Sequence, residues 1–441
     1  MLTVGARLIG LARQHAGRML ADRLIRNIGW YGLAELVTRV SRLVTTVIIA
    51  RALSPVDLGL AALAITSFEL VRVLASCGLS ELVVRAPAAR LDAVCRTVHR
   101  AGWIVCIAMA AIQIAVGLGM GWQAGRADAV QLTMTLAAVF VVMPFGLVNA
   151  YLLRRNCQLH TLARVTAIQV AADNVLTAVL ALAGAGAWAV VLPKVLTAPI
   201  WLIGVRMAQS WSAPPQAGFI PLREVVRFCL PVLGSELLQA ARLNLDKVIV
   251  GALAGIEALG IYYFVFNAGI GFSLSLTSAL SNSLFPELAR LASKPVGLLR
   301  KFDRAMLRAV LPISAIIALQ AAAALVYVPI VFGARWSFAA ELVAVLCLSA
   351  VTKPVFDAAM LLVRAAGAPL IEFAASSFLT CVTLLALAIG LTVDLAHGVT
   401  ALALTTLVVQ AATALLIRYR LVQRRPANPI RSTTHSTRCP A

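Results

Sequence analysis

Charge is scarce in this sequence. Charged residues make up 13% of its 441 positions, where a soluble globular chain carries about 25%. Hydrophobic residues reach 61%, so a soluble domain is excluded. Acidic residues are the scarcer kind, 18 against 38 basic ones. The eight cysteines (Cys77, Cys95, Cys106, Cys157, Cys229, Cys347, Cys381 and Cys439) form no CxxC, and the five histidines form no pair at metal-ligand spacing. That excludes a zinc site or a disulfide framework, and no cofactor or metal is expected. Long polar segments are also missing. The largest, about residues 81–101, 206–228 and 281–308, are too short for a soluble catalytic domain, so no enzyme activity is expected. Near the start, Arg7, Arg13, Arg18, Arg23 and Arg26 interrupt any apolar core. No secretory signal peptide is expected, and residues 1–26 read as a basic amphipathic segment on the cytoplasmic surface.

Long apolar runs fill the rest. Twelve are long enough to span a bilayer, which takes about 20 residues each. They lie near 29–50, 58–80, 102–122, 130–152, 165–184, 186–205, 229–252, 258–280, 309–330, 339–362, 371–391 and 395–417. With the first residue placed inside, 28 of the 38 basic residues fall in the tails and inner loops and three in the outer loops. Such a bias sets an even number of spans with both termini cytoplasmic in a multi-pass membrane protein. It also removes the nucleic-acid partner that a net charge of +20 could suggest, because the positive groups line one membrane face. The expected organisation is an N-terminal six-helix bundle at 27–207, a cytoplasmic linker at 208–228, a C-terminal six-helix bundle at 229–418 and a disordered tail at 419–441.

The halves resemble each other. ELVTRVSRLVTTVIIARALSPVDLGLAAL from Glu35 aligns with ELLQAARLNLDKVIVGALAGIEALGIYYF from Glu236, 201 residues later. Glu35 meets Glu236, Val47 meets Val248, Asp57 meets Glu257, and Leu58-Gly59 meets Leu259-Gly260. The second copy begins six spans after the first, so both halves share one orientation and the repeat is parallel. The fold class is therefore an all-α polytopic membrane protein of about twelve helices in two related six-helix bundles. Two such bundles suit a transporter that works by alternating access.

A charge at the bilayer centre costs roughly 2.5–3.5 kcal/mol on insertion scales, so those inside the spans are functional candidates. Glu35, Arg39 and Arg42 fall on one helix face, within about 60° of arc. Glu35 to Arg39 and Arg242 to Asp246 have i,i+4 spacing, and Glu69 to Arg72 has i,i+3 spacing, so all three can be intrahelical ion pairs. Arg39, Arg42, Arg72, Arg242 and Lys247 are the candidates for an anionic headgroup, which arginine can hold bidentately. Glu35, Glu69, Asp173, Asp246 and Asp357 are the candidates for coupling to H⁺ or Na⁺. Lys194 and Lys247 stand near span ends, where lysine can snorkel to the headgroups. Pro144, Pro193, Pro199, Pro231, Pro312, Pro329 and Pro354 stand in or beside spans, where they kink helices.

ARALSPVDLGLAAL, CGLSELVVR, YLLRRNCQLHTLARV, ALAGAGAWAVVLPKVL, LGIYYFVFN, SNSLFPELARL, VPIVFGARWSFAAELVAVLCLSAV and LLVRAAGAPL stand in an order and spacing that resemble the polysaccharide transporter (Wzx-type flippase) family. That family belongs to the multidrug/oligosaccharidyl-lipid/polysaccharide exporter superfamily, and the likeness is strongest to the colanic acid, teichuronic acid and succinoglycan exporters. The resemblance covers about residues 25–418. It implies export of polyprenyl-pyrophosphate-linked oligosaccharide to the periplasmic leaflet for exopolysaccharide or lipopolysaccharide, driven by an ion gradient. Fourteen spans are common in the family. Membrane lipids and a polysaccharide polymerase or co-polymerase are the implied partners. The alternatives are a lipid II flippase or a multidrug antiporter of the same superfamily.

Overall fold

A computed structural model describes residues 41–124, 127–212, 218–289, 302–366 and 368–423. Among these, every regular element is helical. The helices are α1 (41–52), α2 (Pro55–Arg72), α3 (Leu79–Arg85), α4 (Leu91–Ala124), α5 (Ala127–Thr135), α6 (Ala137–Val142), α7 (Leu147–Arg155), α8 (Leu159–Leu182), α9 (Trp188–Ala208), α10 (Leu222–Leu253), α11 (Gly255–Ala289), α12 (Leu311–Tyr327), α13 (Ala340–Ala350), α14 (Lys353–Ala365), α15 (Pro369–Gly390) and α16 (Leu395–Gln423). Nine segments among the described residues are long and apolar enough to cross a membrane, from Pro55–Arg85 to Leu395–Tyr419. Of the other three expected spans, 229–252 and 258–280 fall on α10 and α11, and 29–50 meets α1 only from residue 41, its earlier part lying outside the described residues. Large apolar side chains also stand on the outside, as a lipid-facing surface requires: Ile104, Ile168, Leu182, Leu319 and Leu385 are all exposed.

Contacts group the described residues into two units. One is drawn from Met1–Phe264 with Val331–Gly333, the other from Val265–Ile330 and Ala334–Ala441. In the first, α2 packs on α4, α5, α9 and α10, and α8 lies along α9. Its core stacks Phe68 on Phe140 and buries Leu132, Leu136, Val83 and Met109. In the second, α15 pairs with α16, and α13 packs between α12 and α16.

Local chemistry sets the breaks. Ser54 caps α2: its hydroxyl accepts from the Asp57 N–H at 3.0 Å, and Asp57 accepts from the Ser54 N–H at 3.2 Å. This capping box, with Pro55 in the first turn, ends the preceding helix and starts the next. A tight turn joins α8 to α9, with Gly184 at φ +78° and Gly186 at φ +56°, values that favour glycine. Pro144 lies in a 3₁₀ turn between α6 and α7, whereas Pro193, Pro199 and Pro231 stay inside α9 and α10.

The repeat becomes physical within the first unit. A Cβ on Gly59 would collide with the carbonyl oxygen of Ile256, and a Cβ on Gly260 with the carbonyl oxygen of Pro55. Each glycine therefore lies against the carbonyl four residues before the other, so α2 and α11 cross with local two-fold symmetry. Helix continuity from Pro55 to Gly59 and from Ile256 to Gly260 carries Pro55 onto Ile256. That register moves Glu257 one position away from the Asp57 match read from sequence.

Candidate functional site

Three buried or half-buried aspartates each face a lysine. On α8, Asp173 binds Lys194 of α9, Oδ2 to Nζ 2.5 Å. Its other oxygen, Oδ1, is buried without a hydrogen-bond partner. The neighbouring Asn174 receives α1: its Nδ2 donates to Ser41 Oγ at 2.9 Å, and its carbonyl accepts from Thr45 Oγ1 at 3.1 Å. Between α10 and α11, Asp246 accepts from the Tyr262 hydroxyl at 2.8 Å and lies 3.3 Å from Lys247 Nζ. Lys247 also donates to the Leu243 carbonyl at 3.0 Å. In the second unit, Lys353 and Asp357 pair across one turn of α14 at 2.9 Å.

The remaining candidates divide sharply. Glu69 and Arg72 form the expected i,i+3 pair at 2.6 Å, on an exposed face of α2. Arg42 on α1 and Arg242 on α10 are exposed, with no acidic partner among the described residues. The Arg242–Asp246 pair allowed by sequence spacing does not form, because Tyr262 and Lys247 engage that carboxylate. Lys194 and Lys247 do not simply snorkel, since each is held by an aspartate. Glu35 and Arg39 lie outside the described residues.

Sequence reading missed several polar groups. Gln113 is fully buried and donates to Ser67 Oγ and the Thr133 carbonyl, both at 3.2 Å. In the second unit, Gln320 donates to the Gly269 carbonyl at 2.8 Å, and Thr352 donates to Gln410 at 2.8 Å. A lone glutamine in an apolar run carries no partner signal in sequence.

The apolar helices that carry these ion pairs and amides make this a polytopic membrane protein, and its fold is like that of solved transporters of the MOP superfamily. Its structural neighbours include an inward-facing multidrug resistance MATE family transporter of that superfamily (TM-score 0.68, 14% identity, 88% of this chain and 96% of the other). Another is the lipid II flippase MurJ in an inward closed conformation (TM-score 0.69, 11% identity, 89% and 91%). More particularly, residues 48–341 match the family described as polysaccharide biosynthesis protein, and the chain belongs to it. The succinoglycan biosynthesis transport protein ExoT of Rhizobium meliloti (strain 1021) is 24% identical over 249 residues, 55% of this chain and 49% of that protein. The chain thus matches about half the length of that relative. An uncharacterized membrane protein in the cps region of Klebsiella pneumoniae is 21% identical over 341 residues, 76% of this chain and 69% of that one.

Proposed function

We propose that this chain is a flippase of the bacterial inner membrane. It carries polyprenyl-pyrophosphate-linked oligosaccharide from the cytoplasmic to the periplasmic leaflet, for exopolysaccharide or lipopolysaccharide synthesis. The observation that carries this reading is the charge left after pairing. Lys194, Lys247, Lys353 and Arg72 are each matched by a carboxylate. Arg42 and Arg242, on the first described helix of each repeat, have no acidic partner among the described residues. Unmatched guanidiniums along an apolar bundle suit a pyrophosphate, which arginine holds with paired N–H donors. A multidrug antiporter for cationic drugs would use carboxylates, and Asp173, Asp246 and Asp357 are each engaged by a lysine.

The same pairs support coupling to H⁺ or Na⁺ by alternating access. A cation that binds Asp246 or Asp357 competes with a lysine for the carboxylate, and one that binds the unpartnered Oδ1 of Asp173 weakens its bond to Lys194. Ion binding and rearrangement of the helices are thereby linked. The basic bias of the inner loops supports cytoplasmic termini, and a polymerase or co-polymerase would receive the product outside.

A deletion strain tests the reading. Lipid-linked oligosaccharide should accumulate in the inner leaflet while surface polysaccharide is lost. Normal surface polysaccharide and no accumulation would overturn it.

A further inference from the structure

The start of α10 carries a feature apart from the charge pairs described above. A cavity of about 630 Å³ is lined there by Pro221, Arg223, Glu224, Arg227 and Phe228. Arg85, from the end of α3, lies over the Phe228 ring at 5.6 Å. Two guanidiniums and one carboxylate thus line the cavity, and a third guanidinium lies over its Phe228 wall. Arg223 and Arg227 are one helical turn apart, a like-charge spacing that destabilises a helix unless an anion answers it. Neither has an ion-pair partner among the described residues, and the cavity is of ligand size.

Beside the arginines runs an apolar stripe. Leu222, Val226 and Leu230, each one turn from the next, are 66%, 50% and 65% exposed. The depth of this segment follows from length. The 32 residues of α10 extend about 48 Å at 1.5 Å per residue, against about 30 Å of hydrocarbon. The excess of about 18 Å, shared between the two ends, puts the first one or two turns at the headgroup layer and Leu230 at the edge of the hydrocarbon. The preceding segment is pinned: Ile220 N–H donates to Thr97 Oγ1 of α4 at 3.0 Å. The cavity walls are further fixed by Gly78, where a Cβ would crowd Phe228 and Val232.

From this arrangement we infer that the start of α10 holds the phosphate headgroup of an anionic membrane phospholipid. Arg223 and Arg227 bind the phosphate, Arg85 closes the cavity over Phe228, and the acyl chains lie along Leu222, Val226 and Leu230. The exposed apolar stripe favours a lipid over a free anion, which would make no use of it. The site is independent of which glycan the chain carries.

The test is native mass spectrometry of the full chain in detergent. It is titrated separately with dioleoylphosphatidylglycerol, dioleoylphosphatidylcholine and sodium pyrophosphate. The expected result is one phosphatidylglycerol adduct, bound at least tenfold more tightly than phosphatidylcholine. Arg223→Gln with Arg227→Gln should abolish that preference, and Arg308→Gln, an exposed arginine elsewhere, should keep it. Should the double variant not purify, Arg227→Gln alone carries the same readout. Equal binding of the two lipids, an unchanged preference in the α10 variants, or an equal loss with Arg308→Gln would overturn the site. Pyrophosphate binding as tight as phosphatidylglycerol would overturn the lipid assignment.

Discussion

The Tyr262 hydroxyl donates to Oδ2 of Asp246 at 2.8 Å, reaching back from α11 to α10 across the turn at Gly255. Tyr262 is fully buried, so this bond has no water to replace it. Tyr262→Phe should lower stability by about 1 kcal/mol, the net worth of one hydrogen bond. Asp246→Asn should cost more, about 3–5 kcal/mol, because it strands the buried Lys247 charge. Thermal unfolding of purified variants orders the two. A larger loss for Tyr262→Phe would refute this account of the pair.

Asp173 and Lys194 make a sharper case for coupling. Asp173→Asn keeps the shape but removes the charge that a driving cation would seek. Flipping by Asp173→Asn in vesicles should no longer respond to an imposed H⁺ or Na⁺ gradient, while substrate binding persists. A full gradient response would remove Asp173 from the coupling set.

Arg42→Gln and Arg242→Gln should each reduce export about tenfold or more, as expected for loss of a charge-assisted contact of about 1.5–3 kcal/mol. Both side chains are exposed, so melting temperatures should hardly move. Wild-type export at normal protein levels in the double variant would rule out the proposed anion site.

At the glycine crossing, Gly59→Ala and Gly260→Ala should each destabilise by about 1–3 kcal/mol through overpacking. The double variant should lose less than the sum, since either methyl already parts the helices. Additive losses would show that the two positions do not share one contact.

Acid should loosen the start of α16. Asp394 accepts from the His397 N–H at 2.6 Å and contacts its ring at 2.9 Å. These bonds hold its carboxyl below the ordinary aspartate value of 3.8. A lowered carboxyl stabilises the folded form above that ordinary value, and the contribution fades as pH falls through the lowered one. Hydrogen exchange in the first turn of α16 should therefore quicken in that acid range, and Asp394→Ala should remove the dependence.

Much of this was legible in sequence because it is local. Glu69–Arg72 follows from helical spacing, and Asp57 and Glu257 mark the matching starts of two spans. Nine of the twelve expected spans were legible from apolar length alone, among the described residues. What escaped depends on distance along the chain. Asp173 and Lys194 are 21 residues apart, on separate helices. Asp246 took Tyr262, 16 residues away, over Arg242. Side-chain spacing within one helix cannot report a choice made between helices.

The glycine crossing carries one more consequence. A contact in which each side offers the same groups to the other is the isologous form of an interface between two identical subunits. Pro55 with Gly59 and Ile256 with Gly260 keep that form inside one polypeptide. The crossing therefore gives α2 and α11, within one chain, the reciprocal contact that two subunits of a symmetric dimer make.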